Sequence, residues 1–378
     1  MKFFDKLESN EKLKDAYMKR KEFMNDVIGI SGTNGKTTTT KLIYELLNED
    51  YNVNKTHENS NSFVGLPWCI NKYFKLNADI WLTEIGISKE NDMENLIEFI
   101  NPNIRILTNI QQAHTLNFNS LLDYQKEKMD LFTYKLTPSS ILILNYYDKL
   151  IRTIKIPLNV KTIICGPKSN NDVSIISHNI NSDYISSTAE FRTIKGKIRI
   201  SYKGICYHTA VNMCLAIACA LIFKIDINNI QKKLESFEFY NSRGNIIKKN
   251  KFIIYNFAYN CNPSSLKGNL ESFKKIQSGN KLIVLGDMFE LSNNKEESIK
   301  IINYCLKITC NIACCSSIYN KILSQKKNYN LDLLALNINH LKKKIKDFIK
   351  KNKMTFIFIQ GSNQSKISEI AEYLISII

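Results

Sequence analysis

Short apolar runs alternate with longer amphipathic segments through the first part of this chain. Each apolar run is rich in Ile, Val and Leu, which is typical of a strand buried on both faces of a parallel sheet. The predicted strands are Val27–Ile30, Ile80–Thr83, Ile104–Thr108, Ile141–Leu144 and Thr162–Cys165. The predicted helices follow Thr37 or cover Met93–Ile100 and Leu121–Phe132. This alternation predicts an α/β fold in which helices cover both faces of a parallel sheet.

The later part of the chain repeats this alternation of strands and helices after a segment of different composition. Residues 172–205 are β-rich and predict a small antiparallel insert, and Asn212–Phe223 has the composition of a buried helix. A break near Phe237–Gly244 separates a second α/β unit. Its strands are predicted at Phe252–Tyr255, Leu282–Leu285 and Phe356–Ile359. We therefore predict a helical lead-in over residues 1–24, a central α/β domain over residues 25–241 and a second α/β domain over residues 242–378.

A glycine-containing turn joins the first predicted strand to the helix that follows it. Its glycines let backbone N–H groups close on an anion, and the helix offers its positive end. In this layout Lys36 would reach the β- and γ-phosphates of a nucleotide, and the Thr37 hydroxyl would bind Mg²⁺. Ile30 takes the place of the first glycine in the general signature G-x-x-x-x-G-K-[ST], so an ordinary turn is the alternative. The predicted phosphate-binding residues are Gly32, Thr33, Asn34, Gly35, Lys36, Thr37 and Thr38.

Three further polar residues lie where a nucleotide site would need them. Glu84 ends a predicted strand, and a carboxylate at that edge of a sheet suits Mg²⁺, although an exposed loop glutamate fits equally well. His114 follows another strand, yet a lone histidine is more often structural than a ligand. Lys128 would by itself be an exposed helix residue. The residue pattern leaves each of these alternatives open.

Composition narrows the class of protein. The chain has 378 residues, with 52 basic against 35 acidic, for a net charge of +17. Lysine is scattered among Asn and Ile, no basic stripe with interleaved aromatic residues is evident, and Leu341–Lys351 reads as a solvated helix face, so no nucleic acid is predicted as a partner. The cysteines, including Cys310, Cys314 and Cys315, lack the paired spacing of a zinc site. Without a signal peptide or a long apolar run, the sequence predicts a cytoplasmic protein with no membrane span.

Together these motifs resemble the Mur ligase family. The loop Gly32–Thr37 and the run from Thr108 through His114 to Lys128 carry the resemblance. Further segments resemble the family members that add D-alanyl-D-alanine to a muramoyl tripeptide. These segments are Asn59–Pro67, Arg243-Gly244, Tyr259–Pro263, Leu285–Leu291 and Gly361-Ser362. The resemblance implies a P-loop parallel-sheet ATPase domain followed by a Rossmann-like α/β domain, with the site in the cleft between them.

The resemblance also implies roles for individual residues. Lys36, Lys128 and Arg243 would be catalytic, with Lys128 carbamylated and Arg243 directed at the γ-phosphate. His208 and Asn212 would lie at the adenine. The metal ligands would be Thr37, Glu84, His114 and Lys128. The substrate-binding residues would be Asn59, Asn61, Tyr259, Asn260, Asn262 and Asn363.

Some positions depart from the family pattern. Asn256-Phe257 stands where relatives have two acidic residues, and Gln360-Gly361-Ser362-Asn363 stands where they have Lys-Gly-Ser-Arg. Thr209 replaces an expected Asn, and Ser292 an expected Gly. The phosphate loop lies so near the start of the chain that the family's nucleotide-sugar-binding domain is expected to be absent. The set for ATP and metal is thus nearly complete, while positions for the acceptor and the amine are altered.

The resemblance predicts an enzyme that uses ATP and two Mg²⁺ ions to join a substrate carboxylate to an amino acid or dipeptide amine through an acyl phosphate. Its partners would be these small molecules, and a protein could replace the absent first domain. The alternative is a catalytically impaired subunit that binds ATP and supports a partner enzyme. A nucleic-acid-binding ATPase is the least favoured class, because it leaves the segment around Lys128 unexplained.

Overall fold

The computed structural model describes Leu7 and residues 10–57, 60–112, 117–239, 243–277, 279–288, 294–326, 329–352 and 356–377. The chain forms two compact units. The first consists of Met1–His178, Thr188–Ile200 and His208–Phe237, and the second of Asn179–Ser187, Ser201–Tyr207 and Glu238–Ile378. The domain limits predicted at residues 25, 241 and 242 stay a prediction. None of the helices in the described ranges is long and apolar enough to cross a membrane.

The first sheet has the order β2-β3-β1-β4-β5-β6-β7-β8-β9. Pairing is parallel from β2 through to β7. The strands are β1 (Asp26–Ser31), β2 (Val53–Lys55), β3 (Ile80–Glu84), β4 (Ile104–Leu107), β5 (Ile141–Asn145), β6 (Lys161–Cys165), β7 (Val173–Ile180), β8 (Ser186–Thr193) and β9 (Gly196–Lys203). The helices are α1 (Glu11–Glu22), α2 (Lys36–Leu47), α3 (Gly65–Tyr73), α4 (Asp92–Ile100), α5 (Leu121–Met129), α6 (Tyr207–Ile222) and α7 (Ile227–Glu235).

Two details of this sheet differ from the sequence prediction. The β-rich segment is no separate insert, because β7, β8 and β9 continue the same sheet. The connections from β7 to β8 and from β8 to β9 are of hairpin length, which is typical of antiparallel strands. Strand β9 alternates buried and exposed residues, as a one-sided strand does. The prediction that Thr162–Cys165 is a buried strand is wrong at its start, where Thr162 is exposed and Ile163 and Ile164 are only partly buried.

The second sheet has the order β10-β11-β14-β12-β13, in which only the pair β10–β11 is antiparallel. Alternate residues of its strands enter two different apolar clusters: Tyr255 and Phe358 lie in one, and Ile254 and Ile357 in the other. Both faces are therefore covered. The strands are β10 (Asn245–Lys249), β11 (Phe252–Phe257), β12 (Lys281–Leu285), β13 (Ile312–Cys314) and β14 (Phe356–Gln360). The helices are α8 (Pro263–Lys274), α9 (Asn294–Cys305), α10 (Ser317–Ser324), α11 (Ile338–Lys351) and α12 (Ser368–Ile377).

Within the predicted helical lead-in, the structure describes helix α1. Leu13 and Ala16 face the core, and the guanidinium of Arg20 is also buried. Arg20 donates to the carbonyl oxygens of Ile100 at 2.5 Å and Asn101 at 3.2 Å, at the C-terminal end of α4. Because a helix ends in carbonyl groups that lack partners, a buried cation at this position stabilises α4.

Candidate active site

The turn between β1 and α2 depends on its two glycines. Gly32 has φ +140° and Gly35 φ +83°, a region that residues with a Cβ rarely adopt. A Cβ atom on Gly32 would collide with the Thr108 hydroxyl, and one on Gly35 would lie 2.7 Å from Oδ1 of Asn212. The backbone here is therefore closely packed against β4 and α6. Larger residues could not keep this turn.

The segment after β4 holds the turn in place. The backbone N–H of Asn34 donates to Oδ1 of Asn109 at 2.9 Å, and Nδ2 of Asn109 donates back to the Asn34 carbonyl at 3.0 Å. The hydroxyl of Thr108 donates to the same carbonyl at 2.6 Å. The N–H of Thr33 donates to the Asn109 carbonyl at 3.0 Å. These bonds fix the backbone of the turn, and a fixed backbone lowers the entropy cost of binding a ligand.

Helix α2 begins at Lys36 without a side-chain cap. Its positive end therefore faces the turn, which is the setting that attracts a phosphate group. Nζ of Lys36 lies 2.7 Å from the carbonyl oxygen of Gly32 and 3.4 Å from that of Thr33. Thr38 lies in the first turn of α2. This geometry fits a nucleotide phosphate chain held by backbone N–H groups and one lysine.

A pair of oxygen donors lies beside the turn. The hydroxyl of Thr37 donates to Oε2 of Glu84, at the end of β3, at 3.1 Å. Hard oxygen donors of this kind fit Mg²⁺. Asn61 lies against the same strand end, because its carbonyl accepts from the N–H of Gly86 at 2.7 Å. The predicted ligand His114 and the predicted substrate residue Asn59 lie outside the described residues. Among the described residues, no group of three or more His, Cys, Asp and Glu side chains is arranged to hold a metal ion.

Lys128 is buried, contrary to what its helix alone suggests. Its side chain projects from α5 and is only 2% exposed, with Nζ 3.3 Å from Oγ of Ser31. Ser31 in turn donates to the Ile85 carbonyl at 2.8 Å. Burial, and secondarily the nearby charge of Lys36, holds the pKa of Lys128 well below its usual value. The amine therefore lies among the phosphate-loop residues and favours its neutral form.

Asp148 supports the site but carries no recognisable signal in the sequence. Its Oδ2 accepts from the N–H of Ile110 and from Nε2 of Gln111, both at 3.0 Å. Its Oδ1 accepts from the N–H groups of Leu150 at 2.8 Å and Ile151 at 3.1 Å. One buried carboxylate thus anchors the segment that clamps the phosphate loop. An aspartate after a strand is common in turns, so the pattern alone could not reveal this role.

The two predicted adenine residues lie at the start of α6. Asn212 is 6% exposed and its amide packs against Gly35 of the turn. His208 is exposed one helical turn earlier. The structure thus brings Asn212 to the phosphate loop. The adenine role of both residues stays a prediction.

In the second unit, the predicted site residues gather around the loop after β11. The guanidinium carbon of Arg243 lies 3.6 Å from the centre of the Tyr259 ring, a close cation–π contact. Asn260 is exposed, whereas Asn262 is 3% exposed and caps α8 by accepting from the N–H of Ser265 at 2.9 Å. Asn363 follows β14 and is exposed. The amide of Asn262 thus has a structural role, and its substrate role stays a prediction.

Three of the positions that depart from the family pattern, Asn256, Phe257 and Gln360, are buried at the ends of two adjacent strands. Phe257 of β11 is the direct register partner of Gln360 of β14. The side chain of Gln360 accepts from Nδ2 of Asn269 at 2.9 Å and donates to Oγ of Ser265 at 3.4 Å. Asn256 accepts from the N–H of Ala258 at 3.1 Å. These neutral side chains form a hydrogen-bonded support beneath the loop that carries Tyr259.

Fold and site together define a class of protein: a nucleotide-binding P-loop protein whose loop lies at the carboxyl edge of a parallel sheet, joined to a Rossmann-like α/β unit. The family model of the Mur ligase middle domain matches residues 30–220, just over half of the chain. The chain belongs to the Mur ligase family, as its motifs predict.

Similar proteins agree with this assignment. The UDP-N-acetylmuramoyl-tripeptide–D-alanyl-D-alanine ligase of Bacillus subtilis is 28% identical over 294 residues, which is 77% of this chain and 62% of the relative. The ligase of the same name from Buchnera aphidicola subsp. Baizongia pistaciae is 28% identical over 92% of this chain and 75% of its own length. The chain therefore spans less than two thirds of the Bacillus relative.

Solved structures confirm the fold class. MurF from Acinetobacter baumannii has a TM-score of 0.85 at 19% identity, covering 97% of this chain and 80% of that chain. MurF from Thermotoga maritima in complex with ADP has a TM-score of 0.83 at 22% identity, covering 96% of this chain and 82% of that chain. The predicted α/β fold is confirmed.

Proposed function

We propose that the protein is an ATP-dependent ligase that joins a substrate carboxylate to an amine. One observation carries the proposal: a single loop gathers Lys36, the Thr37–Glu84 pair and the buried amine of Lys128. Burying a lysine amine costs free energy. A lysine buried beside the loop therefore indicates a functional site rather than an ordinary turn. Membership of the Mur ligase family supports the reaction type.

The chemistry would proceed in two steps. A carboxylate oxygen of the first substrate attacks the γ-phosphorus of ATP, and the bond between that phosphorus and the β-phosphate oxygen breaks. The products of this step are an acyl phosphate and ADP. The amine of the second substrate then attacks the acyl carbon, loses a proton and expels phosphate. Lys36 and the N–H groups of the turn would stabilise the charge on the transferring group. Mg²⁺ held by Thr37, Glu84 and neighbouring ligands would neutralise the phosphate oxygens.

Lys128 fits the role of a carbamylated ligand. Its neutral amine would attack CO₂, so that an N–C bond forms and one proton is released, which leaves a carbamate with two oxygen donors. The burial of Nζ beside Ser31 favours the neutral amine that this step needs. If Lys128→Ala folds and retains full amide synthesis, this role is wrong.

The names of the relatives suggest the substrates. The Bacillus and Buchnera ligases are named for a UDP-linked muramoyl tripeptide and D-alanyl-D-alanine. We propose that this chain uses substrates of the same classes, a peptide carboxylate and a dipeptide or amino-acid amine. Arg243 and Tyr259 would act on the acyl phosphate or the amine.

The test is phosphate release from MgATP with each substrate alone and with both together. We expect release that requires both, accompanied by the amide product. Lys36→Ala should abolish it, while the matched variant Lys161→Ala, which removes an exposed lysine from β6, should retain it. Release that needs neither substrate, or no amide product, would contradict the ligase assignment.

A second candidate is an ATP-binding subunit that supports a partner enzyme. The neutral Asn256, Phe257 and Gln360, at positions where the resemblance expects charged residues, favour it. This candidate predicts tight MgATP binding by the wild type and not by Lys36→Ala, with no turnover on any pair of substrates. Phosphate release that requires both substrates would exclude it.

A further inference from the structure

Glu127, the residue before Lys128, is an almost fully buried carboxylate whose hydrogen bonds run to α4 rather than to the phosphate loop. It is 7% exposed. Its Oε1 accepts from the N–H of Met93 at 2.6 Å, and its Oε2 from the N–H of Asn91 at 3.0 Å. Both donors lie at the N-terminus of α4, so one side chain of α5 grips the start of another helix with both oxygens.

This grip replaces a cap that α4 does not provide for itself. Its N-cap residue, Asn91, has φ +65° and makes no side-chain capping bond. A helix of this length leaves its first N–H groups without helical partners, and the positive end of its dipole favours a carboxylate. Glu127 therefore meets both needs from a neighbouring helix.

The same contact determines where Lys128 points. Successive residues of an α-helix differ by about 100° in direction. Once both oxygens of Glu127 are fixed on α4, helix α5 cannot rotate about its axis, and the next side chain is directed at Ser31, where Nζ lies 3.3 Å from Oγ. The side chain of Lys128 has many rotamers, and a fixed helix limits the positions that its amine can occupy.

We propose that Glu127 is a positioning residue: by capping α4 from α5, it holds the Lys128 amine in the orientation that accepts CO₂ beside the phosphate loop. The inference rests on the carbamate role of Lys128 in the proposed function. Glu127 acts in this role through its hydrogen bonds to backbone N–H groups of α4.

The test measures carbamate formation directly. Wild type, Glu127→Ala, Glu127→Gln and Lys128→Ala would be titrated with ¹³C-bicarbonate, with the carbamate carbon followed by NMR and thermal stability recorded in parallel. The control is Asp226→Ala, which removes the cap of α7, where Asp226 accepts from the N–H of Asn228 at 2.8 Å. It matches the loss of a helix cap without touching α5.

We expect half-saturation of Glu127→Ala to require roughly tenfold more bicarbonate than half-saturation of the wild type. The free energy of an ordinary helix cap corresponds to a factor of about this size in an equilibrium constant. Glu127→Gln keeps one acceptor and should fall between it and the wild type, which preserves the test if the alanine variant fails to fold. Asp226→Ala should lower thermal stability but leave the bicarbonate titration unchanged.

Two outcomes would overturn the inference, and they are distinguishable. If both Glu127 variants titrate like the wild type while losing thermal stability, Glu127 is a structural cap only. If the wild type shows no carbamate signal beyond that of Lys128→Ala, the carbamate step itself is wrong and the inference falls with it. The ligase assignment is decided separately, by phosphate release that requires both substrates.

Discussion

The carboxyl edges of the two sheets are built on opposite electrostatic principles. In the first unit, the ionisable side chains of Lys36, Glu84 and Lys128 lie around one turn. In the second unit, the ends of β11 and β14 carry the buried neutral side chains of Phe257 and Gln360. The first edge is suited to a polyanion and its metal. At these two strand ends the second edge supports the loop that carries Tyr259 with neutral side chains.

The neutral edge is satisfied by hydrogen bonds rather than by ion pairs. Gln360 and Asn269 bond through their side-chain amides, and the thiol of Cys206 donates to Oδ1 of Asn269 at 3.2 Å. Buried polar groups need such partners, and a complete neutral network avoids the desolvation cost of charges. In the proposed function, a different substrate would be accommodated through the loop that these side chains support, without a change to the phosphate loop of the other unit.

The largest effect is expected from the charged edge. Lys36→Ala should lower the rate of phosphate release by about 10³-fold, because no other described side chain of the turn offers a cation to the transferring phosphate. Steady-state release of phosphate measures this, with Lys161→Ala as the reference. Less than a tenfold loss would mean that the charged edge is not the catalytic one.

The next effect would test whether the neutral edge can be made charged. Phe257→Asp alone should destabilise the protein by about 3 kcal/mol, since it buries an unpaired carboxylate. Adding Gln360→Lys at the register partner should recover at least half of this loss through an ion pair. Urea unfolding measures each free energy. If the loss of unfolding free energy in the double variant equals the sum of the losses in Phe257→Asp and Gln360→Lys, the two positions are not coupled.

A smaller effect concerns pH and Lys128. Because its pKa is depressed in the folded protein, the unfolded state binds a proton that the folded state lacks. In CO₂-free buffer, stability should therefore rise with pH from neutrality towards the ordinary lysine pKa of about 10.4. Lys128→Met should remove this rise. Parallel pH dependences of the two proteins would show that Lys128 is charged in the folded state.

The charged edge could be predicted from sequence more fully than its supports. The local sequence of residues 32–37 is enough to predict the turn, since the glycines, Lys36 and Thr37 act through the local backbone. Lys128 was identifiable only by resemblance, because a lysine on a charged helix looks exposed until the fold buries it. Glu127 and Asp148 could not be predicted, because the partners that give them these roles are distant in sequence: Asn91 and Met93 for Glu127, and Ile110 and Gln111 for Asp148. Short elements such as β2 and β13 also escaped, since their pairing is non-local.

The smallest effect tests whether the segment of Ile110 and Gln111, which Asp148 holds beside the phosphate loop, contributes to ATP binding. Asp148→Asn replaces one oxygen with an NH₂ group that faces N–H donors, so the segment of Ile110 and Gln111 should loosen. We expect the KM for ATP to rise about fivefold while kcat changes less than twofold, because Lys36 is untouched. Asp172→Asn is the matched control, since Asp172 accepts from the N–H of Ile164 at 2.7 Å away from the loop. If both variants change the KM equally, the clamp has no specific role, and the turn owes its shape to the glycines alone.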